Sequence, residues 1–205
     1  MKRCVISLFV ALVGLLVVLG PSLLATAGDG KDDRDRDDGF NLSATLRGFH
    51  EVPAISTPAS GSFRGEISAD GTSITYTLSY SGLEGDVRQS HIHIGQRRVN
   101  GGIVVFLCQT SFNMDPTGHA PTCPQSGTVT GILTKANVAN SANAQGIEAS
   151  PTGAGSTDAE FAEFVAAIRA GVTYANVHSA NAGGVATKYN SGEIRGQIKV
   201  ERDRH

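Results

Sequence analysis

The chain has 205 residues, with 17 Lys and Arg against 19 Asp and Glu and a formal net charge of −2. That balance supplies no basic surface for nucleic acid and no electrostatic attraction to an anionic membrane surface. Apolar residues make up 40% of it, enough for a domain of ordinary size to bury a core unaided by metal or partner.

Lys2 and Arg3 precede an almost unbroken apolar run from Val5 to Leu19, and Ala25 to Ala27 read ATA. This is the order of a secretory signal peptide, so residues 1–27 are expected to be cleaved off after Ala27. Gly20 and Pro21 interrupt the run, leaving it short of the ~20 apolar residues a spanning helix needs. No later segment is apolar enough to span a bilayer, and the expected location is extracytoplasmic: secreted, periplasmic or at the cell surface. Cys4 precedes the apolar run and is expected to leave with the signal. Residues 28–39, GDGKDDRDRDDG, hold six Asp and three basic residues and read as a disordered acidic linker. A calcium loop of the EF-hand type would need Gly and Glu at fixed positions that this run lacks.

Residues 40–202 are expected to form one β domain. FNLSATLRGF (Phe40–Phe49) alternates apolar and polar residues. GSFRGEISADGTSITYTLSYSGL is the clearest hairpin, with Phe63 and Ile67 on one strand, ADG at the turn, and Ile74, Tyr76, Leu78 and Tyr80 along one face of the return. VRQSHIHIG is a third strand. VNGG (Val99–Gly102), with its Asn-Gly pair, predicts a tight hairpin into IVVFL (Ile103–Leu107). SGTVTGILT (Ser126–Thr134), VTYANVHS (Val172–Ser179) and SGEIRGQIKV (Ser191–Val200) complete the strands. PTGHAPTCPQ (Pro116–Gln125) and SANAQGIEASPTGAGS (Ser141–Ser156) read as irregular connections. In STDAEFAEFVAAIRAG, Phe161, Phe164, Val165 and Ile168 recur at helical spacing. Thr157 with Glu160 forms a capping box, and Gly171 sits where a terminating glycine belongs. Many short strands with one helix predict an all-β fold, an antiparallel sandwich or barrel (Greek-key, immunoglobulin-like or superoxide-dismutase-like) capped by a short α-helix. In an oxidising compartment Cys108 and Cys123 are expected to form a disulfide, worth about 3 kcal/mol in the chain-entropy model.

Strand side chains alternate, so His91 and His93 share one face, as do Tyr174, Asn176 and His178, and Glu193, Arg195 and Gln197. Opposite each polar row lies an apolar one, the natural core. LRGFHEVPAISTPASGSFRGEIS, SGLEGDVRQSHIHIGQRRVNGGIVVFL, FVAAIRAGVTYANVHS and GEIRGQI, taken in order, resemble the CHRD family, first recognised in chordin and found alone in many exported microbial proteins. The resemblance runs from Leu46 to Ile198. It departs from the pattern at the cysteine-bearing stretch Gln109–Gln125 and at Ser179–Asn190. It implies an extracellular β domain and, by analogy with chordin, a binding role toward an unidentified protein or extracellular ligand.

Three readings of the histidines follow. As a metal centre, His91, His93 and His178 would hold one ion, zinc or copper, with Glu193 in its outer shell. The His-x-His strand is similar to that of copper–zinc superoxide dismutase, but the further histidines and the loop aspartate of that enzyme have no counterpart here. As structure, Asn176, Glu193 and Arg195 would join the imidazoles in a polar cluster that fixes strand register, with Glu193 and Arg195 in ordinary charge pairs. As catalysis, the chain lacks G-x-S-x-G, H-E-x-x-H and a phosphate loop, while His50 and Glu51, being adjacent on a strand, point apart. A contact surface of exposed tyrosines (Tyr76, Tyr80, Tyr189) is a fourth possibility, weakened by the absence of tryptophan and by the i, i+4 spacing of the first two. The sequence reading is a non-enzymatic binding or cell-envelope accessory module with no established cofactor. Its alternative is a histidine-based transition-metal protein.

Overall fold

The computed structural model describes residues 40–150, 155–180 and 189–201. The expected signal peptide and acidic linker lie outside them. Nine strands form one antiparallel sheet: β1 (Phe40–Arg47), β2 (Ser60–Ile67), β3 (Ile74–Ser81), β4 (Asp86–Ile94), β5 (Ile103–Cys108), β6 (Gly127–Leu133), β7 (Thr173–Ala180), β8 (Tyr189–Gln197) and β9 (Lys199–Glu201). The order is β5-β4-β7-β8-β1-β2-β3-β6, with β9 also pairing β1. Of the forms expected, the structure is a nearly closed barrel, a shape that leaves few open strand edges.

The ends of the sheet, β5 and β6, approach each other with no strand ladder between them among the described residues. The Cys108–Cys123 disulfide ties this seam. Tyr76 Oη donates to the Leu107 carbonyl at 2.6 Å, and Tyr80 Oη donates to the Pro124 carbonyl. Burial raises the phenol of Tyr76 to about 12, with Asp115 adding to the effect. The tyrosines named as a contact surface, Tyr76, Tyr80 and Tyr189, are all buried, so that reading is corrected: the rings of Tyr76 and Tyr80 join the core, and all three hydroxyls serve as donors within the fold.

Inward residues of the strands, among them Leu46, Phe63, Leu78, Ile92, Val177 and Ile194, form the main core. Helix α1 (Asp158–Arg169) adds Phe161, Phe164, Val165 and Ile168 to it. Thr157 accepts from Glu160 N as its N-cap. The expected return bond of the capping box is replaced, because the Glu160 carboxylate accepts from Glu148 N instead. At the far end the Val172 N–H reaches Ala167 O and the Gly171 N–H reaches Ile168 O. With Gly171 at φ 71°, this is the Schellman termination that glycine permits.

The β4–β5 connection differs from expectation. Instead of a two-residue turn at Asn100-Gly101, the chain leaves the ladder from Gly95 to Gly102. The Arg195 guanidinium holds this loop open by donating to the carbonyls of Gln96 and Val99. A β-carbon on Gly101 would lie 1.7 Å from Ile94 O, so glycine here serves close backbone approach.

Candidate metal centre

Strands β4, β7 and β8 are neighbours, with His91 opposite Asn176, His93 opposite Tyr174 and Gln89 opposite His178. Alternation therefore puts both β4 histidines and His178 on one face. It is the outer face of the barrel wall, since the residues between them, Ile92 and Val177, point into the main core. Even so, all three histidines are buried. A second apolar cluster of Phe106, Ala120 and Ala139 shields this face, and the Phe106 ring stands edge-on to His91 at 4.4 Å.

One donor nitrogen from each of His91, His93 and His178 lies within 4.8 Å of the others. The His91 ring stands 5.3 Å from that of His93 and 5.0 Å from that of His178, centroid to centroid. Zinc–imidazole bonds near 2.0–2.1 Å imply nitrogens roughly 3.3 Å apart in a tetrahedral site. Closing by up to about 1.5 Å through side-chain rotation would bring the three into coordination.

The polar bookkeeping of the rings is unusual. Both nitrogens of His91 are buried without a hydrogen-bond partner. Burial, reinforced by the neighbouring His178 and His93, holds its pKa well below the ordinary value, so the ring is neutral with a lone pair available. His93 Nδ1 lies 2.9 Å from Gly101 O and its Nε2 lies 3.1 Å from Asn176 Oδ1. Both partners are acceptors and the neutral ring has one proton, so only one contact can be a hydrogen bond. A proton on Nδ1 serves Gly101 O and leaves Nε2 its lone pair. That lone pair faces a second acceptor, because Asn176 Nδ2 is committed to Ser191 O at 3.2 Å. Turning the amide over would give Nε2 a donor but set Oδ1 against that carbonyl. A second ring proton would resolve the conflict, but burial, outweighing the two hydrogen bonds, lowers the His93 pKa to about 4. A cation beside Nε2 would satisfy both atoms. The Nδ1–H to carbonyl bond is also the outer-shell contact that orients metal-binding histidines.

The other residues named from sequence divide. Asn176 joins the histidines. Arg195 shares their strand group but turns to the β4–β5 loop, donating to Asn100 Oδ1 as well as to the two carbonyls. Its guanidinium lies 3.3 Å above the Tyr174 ring, whose other neighbour is the parallel His93 ring at 4.7 Å. Glu193 is placed elsewhere. Its carboxylate accepts from Thr57 Oγ1 and Glu84 N and from the Ser179 hydroxyl, and it is not among the clustered ligand atoms. The reason is a loss of register between the Val177–Ile194 and Ser179–Tyr189 pairs, which ends the alternation before it reaches Glu193. Neither Glu193 nor Arg195 forms the ordinary charge pair expected of it.

Sequence reasoning set Glu51 aside, yet its side chain is buried with both carboxyl oxygens unpartnered. Burial, opposed by Arg195, pushes its pKa up to about 8. A β-carbon on Gly192 would lie 2.3 Å from Glu51 Oε1 and 2.7 Å from Asn176 Nδ2, so Glu51 sits close behind Asn176. His178 also lines a pocket of about 160 Å³ together with Gln89, Asn113 and Tyr189.

The fold and site define an antiparallel β-barrel domain carrying a buried three-histidine cluster on its outer wall. The CHRD domain model matches residues 42–198, and the chain belongs to the CHRD family. No curated protein matches it in sequence.

Proposed function

We propose that this chain is an extracytoplasmic CHRD-domain protein whose activity is to bind one transition-metal ion, copper or zinc, through His91, His93 and His178, without catalysis. The observation that carries the reading is a fully buried His91 with both nitrogens unpartnered, one of them within 4.8 Å of two further imidazole donors. An unpaired buried polar group costs about 1–3 kcal/mol, and a coordinated ion removes that cost at the ligand nitrogen. Imidazole donors suit copper and zinc. His93 arrives with its remote nitrogen already anchored on Gly101 O, as a ligand should. The extracytoplasmic setting is supported by the disulfide and the leader-like N-terminus.

The competing view is that the imidazoles are only a register-fixing cluster. It leaves His91 without the partners such a role requires. Isothermal titration of chelator-treated protein with zinc and with copper, followed by metal analysis after gel filtration, tests the proposal. One equivalent retained by the wild type and lost in His93→Ala is expected. Failure of both ions to bind overturns it.

A further inference from the structure

A second, larger concavity of about 780 Å³ lies between the Gly48–Ala54 segment and the β4–β5 loop. Its volume falls within the range of roughly 300–1,000 Å³ usual for small-molecule sites. Three guanidinium groups line it, those of Arg97, Arg98 and Arg195. Among the described residues no carboxylate forms a salt bridge with any of them. Arg195 donates to neutral oxygens only, and the one acidic side chain of the lining, Glu51, holds its proton at neutral pH. The positive charge is therefore uncancelled. The lining also carries an apolar group, with Phe49 75% exposed and Val52, Pro53 and Ala54 beside it in the chain.

The walls are fixed in place. Asn100 Nδ2 donates to Val52 O at 3.0 Å, tying the two segments together. Arg195 clamps the loop from below through Gln96 O and Val99 O. Arg98 has φ 64° and is the one non-glycine residue with positive φ among those described. A non-glycine residue in that region is strained by about 1 kcal/mol or more, and here the strain is held by a loop that brings two successive arginines to the rim. Preformed walls lower the ordering cost of binding.

We infer that this pocket binds a small organic carboxylate with a flat apolar body, the carboxylate held by Arg97 and Arg98 and the body against Phe49 and Pro53. Guanidinium forks match a carboxylate in shape as well as charge, and the apolar wall would add nothing for a bare inorganic anion.

The probe is 2-naphthoate, whose fluorescence can be followed without interference because the chain has no tryptophan. Its neutral amide, 2-naphthamide, and inorganic sulfate are the comparison ligands. Saturable 1:1 binding of naphthoate is expected, with the amide at least tenfold weaker. The double variant Arg97→Gln/Arg98→Gln should lose at least tenfold in affinity, and Phe49→Ser severalfold. All three substitutions are at exposed positions, so melting temperature and zinc uptake should not move. Equal binding of acid and amide overturns the proposal, as does unchanged affinity in the double variant or no saturation below about 10 mM. Sulfate competing as strongly as naphthoate overturns the organic part of the assignment.

Discussion

Replacing His91 by leucine should make the metal-free protein more stable and the metal-bound protein less so. The His91 side chain is fully buried with both ring nitrogens unpartnered. A neutral imidazole carries one donor and one acceptor, and each left unsatisfied costs about 1–3 kcal/mol. Leucine removes both at nearly constant volume. Against this stand the edge-on contact with Phe106, worth about 0.5–1.5 kcal/mol, and a misfit of less than about 1.5 kcal/mol for a shape change at similar volume. The mid-values balance at a gain of about 2 kcal/mol, or roughly 4–8 °C in melting temperature for a domain of this size.

With ion present the order should invert. At a free concentration of 100 times Kd the wild type gains about 2.7 kcal/mol from ligation, and the variant, with one imidazole missing, forfeits most of that. Thermal melts of both proteins in chelator and in excess zinc or copper give four curves that must cross in this way. A loss of 2 kcal/mol or more for His91→Leu in chelator would mean that the ring makes structural bonds worth more than its burial costs. An undiminished ion-induced rise in the variant would remove His91 from the ligand set.

Glu51 gives a pH signature of opposite sense to that of an ordinary surface carboxylate. Its folded pKa of about 8 lies above the unfolded value near 4.5, so the folded state holds an extra proton between them. That stability is fully present below pH 4.5 and is lost as pH rises toward 8, by up to about 4 kcal/mol. Glu51→Gln should flatten the profile, and parallel curves in urea melts from pH 5 to 9 would show that Glu51 is ionised in the fold. Cys123→Ser opens a loop with a sequence separation of 15 and should cost about 3 kcal/mol, measured as a shift in urea midpoint; a change under 1 kcal/mol would mean that the seam is held by Tyr76 and Tyr80 alone. Gly192→Ala should destabilise by more than about 2 kcal/mol. The residue has φ 118° and its β-carbon would meet Glu51 and Asn176 at 2.3 and 2.7 Å. A melting temperature equal to wild type would refute the crowding behind Asn176.

The hairpin of β2 and β3 and the helix were legible because each rests on local chemistry. Alternation at Phe63, Ile67, Ile74 and Leu78 needs no partner to be read, nor does the apolar stripe of α1 between Thr157 and Gly171. The histidine trio was legible for the same reason: parity alone places His91, His93 and His178 on shared faces, and the β4–β7 register then brings the faces together. Parity failed at Glu193, where an irregular ladder intervenes that no local pattern announces. Glu51 escaped because its burial comes from residues far along the chain. The Asn-Gly signal in the β4–β5 loop was outweighed by Arg195, a tertiary contact about a hundred residues away.

What turned a polar strand face into a buried site also lay beyond pattern reading. A histidine row on the outside of a barrel is ordinarily wet, and wet imidazoles lack neither partners nor solvent. Here Phe106 packs on His91, and Ala120 and Ala139 pack on Phe106. Ala120 lies in the cysteine-bearing stretch Gln109–Gln125. Its loop is held by the disulfide and by Asp115, which accepts from the N–H groups of Thr117, His119 and Ala120. The strands supply the three imidazoles, and Phe106, Ala139 and the loop residue Ala120 supply the apolar cover. A CHRD domain with the same histidines but without that cover would leave the rings solvated, and would lose the unpartnered nitrogens of His91 on which the case for a metal rests.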